Sequence, residues 1–244
     1  MKDRVTHLSK LNAIALATAV CSSMLLTVGP PAAAQNPQVE EKLAAIKQSI
    51  AANKQALARY TWQEQQTISV KGEVKDTKVY QVQMGPDGQP QKTEISNQQA
   101  QPSGRQGRVK KRVVEHVKGE YQEYGQQIAA LATQYNPPDP QKLQEAYKQG
   151  NVSVQLGGAA GTVSLVIKNY VKPNDSMTLV FNQSTKAIKS VRVATYLNDP
   201  KDAVTIAAQF TRMPGGPNHV ASTQVNGVSK QLTVMTQNSN YQQR

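Results

Sequence analysis

Apolar residues recur along this chain with two periods, and the switches between them divide it into parts. Val39, Leu43, Ile46, Ile50 and Leu57 fall at steps of three, four and seven, which is one face of a helix running to about Arg59. Asn36-Pro37 followed by Glu40 and Glu41 supplies its start, with proline at the first helical position and acids in the first turn. From Tyr60 the period becomes two. Ile68 and Val70 share one strand face, and Tyr80, Val82 and Met84 share another after a turn at Lys71-Gly72. "GPDGQ" at Gly85–Gln89 is a second turn, since proline presets one dihedral and glycine takes the positive one. The next strand, near Gln91–Ser96, is weakly patterned and reads as a sheet edge.

Residues 97–107, "NQQAQPSGRQG", hold no large apolar side chain to offset the cost of ordering, and predict a flexible loop. The most periodic segment follows. Val109, Val113, Val117, Tyr121, Tyr124, Ile128, Leu131 and Tyr135 are spaced by threes and fours, a long amphipathic helix with one continuous stripe. Gly119 and Gly125 weaken it, each by about 1 kcal/mol relative to alanine, and Pro137-Pro138 ends it. A short helix is predicted from a cap at Asp139 to about Lys148, closed by Gly150.

The remainder predicts strands at Val163–Val171, Ser176–Phe181, Ala187–Tyr196, Ala203–Arg212, Asn218–Asn226 and Ser229–Gln237. The connections between them are too short for a helical crossover, so neighbouring strands pair antiparallel as a meander. Met177, Leu179 and Phe181 share one strand face, and Val204, Ile206, Ala208 and Phe210 share another. A single antiparallel sheet with apolar stripes on two helices calls for those helices to cover one sheet face. The expected fold is therefore α+β, a curved antiparallel sheet (an incomplete barrel) with helices on its concave face.

The first residues carry an address. Lys2, Arg4 and Lys10 precede the apolar run Ala13–Val28, a Gly29-Pro30-Pro31 turn and Ala32-Ala33-Ala34. This is the order of a cleaved secretory signal, with cleavage after Ala34. The run is shorter than the roughly 20 apolar residues that span a bilayer. Cys21, the only cysteine, follows bulky Val20 and is itself followed by more apolar sequence, which does not fit lipid attachment. The expected organisation is a signal at 1–34 and one domain at 35–244, periplasmic or secreted and free of disulfides. Removing Lys2, Arg4, Lys10 and Asp3 lowers the formal charge from +12 to +10, which favours anionic partners.

Candidate chemistry is sparse. His116 and His219 are far apart and lack a spacing that suits a metal. There is no Gly-x-Ser-x-Gly elbow, and "GGAAGT" at Gly157–Thr162 has the spacing of neither phosphate-binding glycine loop. No cofactor, metal site or catalytic constellation is expected, which weighs against an enzyme. Arg105, Arg108, Lys110, Lys111, Arg112 and Lys118 cluster at a helix N-terminus, where the backbone dipole already presents positive charge. Two readings fit them: a patch for an anionic membrane surface or protein partner, or a solvated helix end. No interleaved aromatic platform accompanies them, so nucleic acid is not expected. All nine tyrosines lie beyond the predicted signal, and tyrosine suits the rim of a half-wet cavity.

The order of parts, with the local stretches "YTWQEQQTISVKGEV", "MTLVFNQSTKAIKSVRVATY" and "AVTIAAQFTRMPGG", resembles the periplasmic lipoprotein carriers and receptors, the LolA/LolB-like superfamily, as a divergent branch of it. The resemblance implies an incomplete barrel closed by helices, with an apolar interior for acyl chains, and transfers no gating residue to this chain. It points to a binding role for an acyl chain, lipid or lipoprotein, with Tyr121, Tyr124, Met177, Leu179, Phe181 and Phe210 as the expected cleft residues. The alternative is a non-catalytic envelope interaction or sensor protein that works through its basic helix and loop.

Overall fold

The computed structural model describes residues 37–99, 108–156, 161–213 and 216–244. The predicted signal and residues 100–107 of the predicted loop lie outside them. In chain order the elements are α1 (Pro37–Leu57), β1 (Tyr60–Val70), β2 (Glu73–Met84), β3 (Pro90–Gln99), α2 (Arg108–Thr133), α3 (Pro140–Lys148), β4 (Val152–Leu156), β5 (Thr162–Lys168), β6 (Ser176–Asn182), β7 (Ala187–Tyr196), β8 (Ala203–Arg212), β9 (Asn218–Gly227) and β10 (Leu232–Gln243). No helix among the described residues is long and apolar enough to cross a membrane.

All ten strands form one sheet in the order β3-β2-β1-β10-β9-β8-β7-β6-β5-β4, and each neighbouring pair is antiparallel. The hairpin β2–β1 joins the C-terminal meander through the β1–β10 ladder. Strands β3 and β4 are the two edges and do not meet, so the barrel is incomplete. A twisted sheet of about ten strands curls rather than staying flat. Register shifts in β1, β2, β6 and β8 add bulges, which bend strands and increase their twist.

Local chemistry sets the turns. Lys71 (φ 53°) and Gly72 (φ 83°) both sit in the left-handed region, as a two-residue hairpin turn that matches strand twist requires. Asp139 caps α3 by accepting the Gln141 N–H at 2.7 Å, as the spacing predicts. Between β5 and β6 the buried Asp175 organises the chain around it. Its Oδ1 accepts the Tyr170 N–H at 2.6 Å. Its Oδ2 accepts the Val171 and Lys172 N–H groups at 2.9 and 2.8 Å and the Tyr135 hydroxyl at 2.7 Å. This one carboxylate ties the chain just after α2 to the β5–β6 turn. Burial first, and then the neighbouring carboxylate, push the Tyr135 phenol well above its ordinary range; burial likewise raises Tyr170 to about 12.

Alternation buries one sheet face. A single apolar row runs through paired positions Val152, Ile167, Met177, Val193, Ile206, Val225, Val234 and Ile68, crossing the sheet from β4 to β1. The helices cover that face: α1 contacts β4, β7, β9 and α3, α2 contacts β9 and β10, and α3 contacts β5. Val39, Leu43 and Ile46 of α1 and Tyr124, Ile128 and Leu131 of α2 complete the core. Helix α2 runs unbroken through Gly119 and Gly125, and at neither would a Cβ meet a neighbour closer than ordinary van der Waals contact.

Several boundaries differ from the sequence reading, and β5 ends at Lys168 rather than Val171 because Asp175 turns the chain at Tyr170–Lys172. β3 continues through 97–99, which pair with 76–78. β4 is an additional edge strand. β10 extends to Gln243 because β1 supplies partners as far as Tyr60.

Candidate functional site

Val39, Leu43 and Ile46 of α1 are buried, whereas Ile50 and Leu57 farther along the helix are half-buried and line a cavity. A cleft of ≈ 420 Å³ lies between the C-terminal half of α1, the end of α2, the β2–β3 turn and the inner face of β1 and β8–β10. Ile50 and Leu57 of α1, Ala129 and Ala132 of α2, and Phe210, Val220, Val225 and Val234 from the sheet make its walls apolar. Its volume falls within the roughly 300–1,000 Å³ typical of small-molecule sites.

Part of its wall, where β1 meets β10, carries aromatic and polar side chains. Alternation along β1 sends Trp62 and Glu64 to the same face, and both line the cleft while being 7% and 6% exposed. The Trp62 ring stacks on Tyr241 with centroids 5.5 Å apart and 15° between planes. Tyr241 in turn meets the His219 ring at 4.1 Å. Burial pushes the Tyr241 phenol up and the His219 imidazole down, so His219 is neutral over a wider pH range than a free histidine. Glu64 pairs with Lys92 of β3, whose ammonium also lies 5.9 Å from the centre of the Tyr80 ring. Directly opposite Glu64 in the β1–β10 ladder is Asn238. Its Nδ2 donates to the Val220 carbonyl at 2.9 Å.

Three residues that line this cleft each carry a polar atom buried without a hydrogen-bond partner among the described residues: Trp62 Nε1, Asn238 Oδ1 and Asn136 Oδ1. Each is closed off even from a water-sized group, so these atoms lie within the packed wall behind the cavity, and unpartnered polar atoms of this kind are uncommon. A second depression, ≈ 310 Å³, is lined by Thr178, Arg192 and Thr205 on β6–β8. None of these three unpartnered atoms lines it.

Of the cleft residues expected from sequence, Phe210 lines this cavity. Met177, Leu179 and Phe181 are fully enclosed in the packed cluster. Tyr121 is half-buried, with the Lys230 ammonium 5.6 Å from its ring centre. Tyr124 is buried, and its hydroxyl donates to Asp202 at 2.7 Å. The basic cluster does not enter the description: Arg105 lies outside the described residues, as do the side chains of Arg108, Lys110, Lys111, Arg112 and Lys118 along α2. Trp62, Glu64 and Asn238 were not singled out by sequence. The signal that was there is the chain's sole tryptophan, set two residues from a carboxylate on one strand face.

No protein-family model matches the chain, and no curated protein does. Solved structures similar to it include a DUF1329 family protein from Desulfovibrio piger ATCC 29098, at 9% identity and a TM-score of 0.39, covering 84% of this chain and 92% of that one. Another is a LolA superfamily protein from Nitrosomonas europaea, at 8% identity and a TM-score of 0.37, covering 84% and 93%.

Proposed function

We propose that this chain is an exported envelope protein that holds an acyl chain, a lipid or the acyl part of a lipoprotein in the cleft between its curved sheet and helices. The observation that carries the reading is the cleft itself. It is ≈ 420 Å³ in volume and apolar along most of its wall, with polar side chains from α1, β1, β3, β9 and β10 set among the apolar ones. A mainly apolar wall suits a ligand with a hydrocarbon body. A water-filled cavity walled by Ile50, Leu57, Phe210, Val220, Val225 and Val234 is unfavourable, because apolar surface prefers an apolar occupant.

Native mass spectrometry of the chain, released gently from a secreting cell without added lipid, tests the reading. A copurifying adduct of lipid mass, lost on organic extraction and regained on incubation with lipid, is expected. A chain that carries no adduct and takes none up contradicts it.

A further inference from the structure

The capacity of the cleft limits what it holds. A methylene group takes up about the 30 Å³ that a water molecule has in the liquid. At ≈ 420 Å³ the cleft therefore has room for about fourteen carbons. The space around it is already filled. Ile50 lines the cleft, and Ile46, one turn earlier on the same face of α1, is fully buried in the core. On the sheet, Ile206 pairs with the cleft-lining Val225 and is itself enclosed, as are Met177, Leu179 and Phe181 on β6. An interior packed this closely admits another chain only by displacing side chains. The outer surface offers no alternative. Among the described residues the exposed large apolar side chains are Val74, Ile95 and Val228, and none of them lines the cleft.

We propose that the cleft takes one acyl chain of about fourteen carbons, so that the ligand is a single-chain amphiphile rather than a diacyl lipid or a multiply acylated lipoprotein. The inference rests on the acyl-binding reading above. Hydrocarbon is stable in the cleft or in a bilayer because both keep it from water. A single-chain amphiphile keeps that protection when it moves from one to the other. A diacyl lipid does not. One of its chains enters the cleft and the other is set against water, with no exposed apolar side chain at the cleft to receive it. The loss grows with every methylene of the second chain. The membrane therefore keeps its diacyl lipids, and the protein draws from it the amphiphiles whose one chain it can cover.

The test offers the full chain phosphatidylcholine vesicles that carry, in equal amounts, a monoacylglycerol and a diacylglycerol built from the same acyl chain. After the vesicles are removed, native mass spectrometry is expected to show one monoacylglycerol per protein and neither diacyl lipid. Calorimetry with monoacylglycerols of increasing chain length, each below its aggregation concentration, supplies a second readout. Affinity should rise roughly fourfold per added methylene. It should level off near about fourteen carbons, because later methylenes stay in water. Ala129→Leu adds the bulk of an isopropyl group to a cleft-lining residue, and should move the levelling point to chains about three carbons shorter. A diacyl lipid held one to one, several acyl chains bound per protein, or an affinity that climbs without levelling would overturn the single-chain capacity and leave the acyl cleft standing. A levelling point unmoved in Ala129→Leu, with its thermal melt intact, would show that this volume does not set the limit, and would overturn the inference too. Failure of every lipid to bind would instead remove the acyl reading and the single chain with it.

Discussion

The Tyr124 ring lies so close to Gly227 that a Cβ built on the glycine would sit 2.3 Å from Tyr124 Cε1 and 2.5 Å from the hydroxyl oxygen. Gly227 ends β9, opposite Val204 on one side and Leu232 on the other. The absence of a side chain there lets α2 descend onto the sheet. The ring is then held from above, since its hydroxyl donates to Asp202 at 2.7 Å and accepts from Ser229 at 3.1 Å.

Gly227→Ala should therefore destabilise the fold by about 1–3 kcal/mol, the usual scale of forced overpacking. In a Tyr124→Leu background, which removes the ring, the same substitution should cost much less. Chemical denaturation of the four-member cycle measures the coupling. Additive effects would mean that the close approach does not constrain the packing.

Asp175→Asn tests the carboxylate between β5 and β6. Asparagine keeps the shape, but one end now carries an NH₂ that cannot accept. Either orientation turns donors against donors, since Oδ2 serves three of them and Oδ1 serves one. A loss of about 3 kcal/mol is expected from buried donors left unpaired. A thermal melt indistinguishable from the parent would show that the turn is held by something else.

His219 gives the stability a pH signature. Burial lowers its folded-state pKa below the ordinary value near 6.5, so the unfolded chain takes up the proton first. Its contribution is fully present above the unfolded-state value and is lost as pH falls through the folded-state value. Comparing the parent with His219→Gln, denaturation midpoints taken stepwise from pH 7.5 to pH 5 should show a steeper decline in the parent. Parallel profiles would contradict this assignment. The comparison subtracts other titrating groups, which are common to both chains.

Much of the scaffold was readable from local pattern. The β7 and β8 boundaries follow from alternation bounded by turn residues, and Asp139 announced the start of α3 through its capping chemistry. Strand β4 was missed because Val152–Leu156 is a short edge whose pattern is cut off by the glycine-rich stretch after it. β10 was read as ending at Gln237 because the apolar alternation stops there, whereas its last residues are held by the β1 ladder.

The site was much less legible. Alternation placed Met177, Leu179 and Phe181 on one face, and they do share it, but a buried strand face looks the same in sequence whether it meets packed side chains or a cavity. That distinction depends on how far α1 and α2 reach across the sheet. Likewise, Trp62 gains its meaning from Tyr241, which a ladder between the beginning and the end of the domain brings against its ring. No spacing within either strand records that juxtaposition.

The central claim is that an acyl chain lies inside the cleft beside Trp62, and quenching by bromine measures it most directly. A bromine atom quenches an indole only at close range, and Trp62 is the sole tryptophan. The full chain would be titrated with a monoacylglycerol brominated along its acyl chain and, in parallel, with the unbrominated lipid, with binding followed independently by calorimetry. Saturable loss of Trp62 emission that follows the calorimetric isotherm, only with the brominated lipid, is the expected result. Emission that stays unchanged while calorimetry records saturable binding would place the acyl chain elsewhere, and would contradict the account.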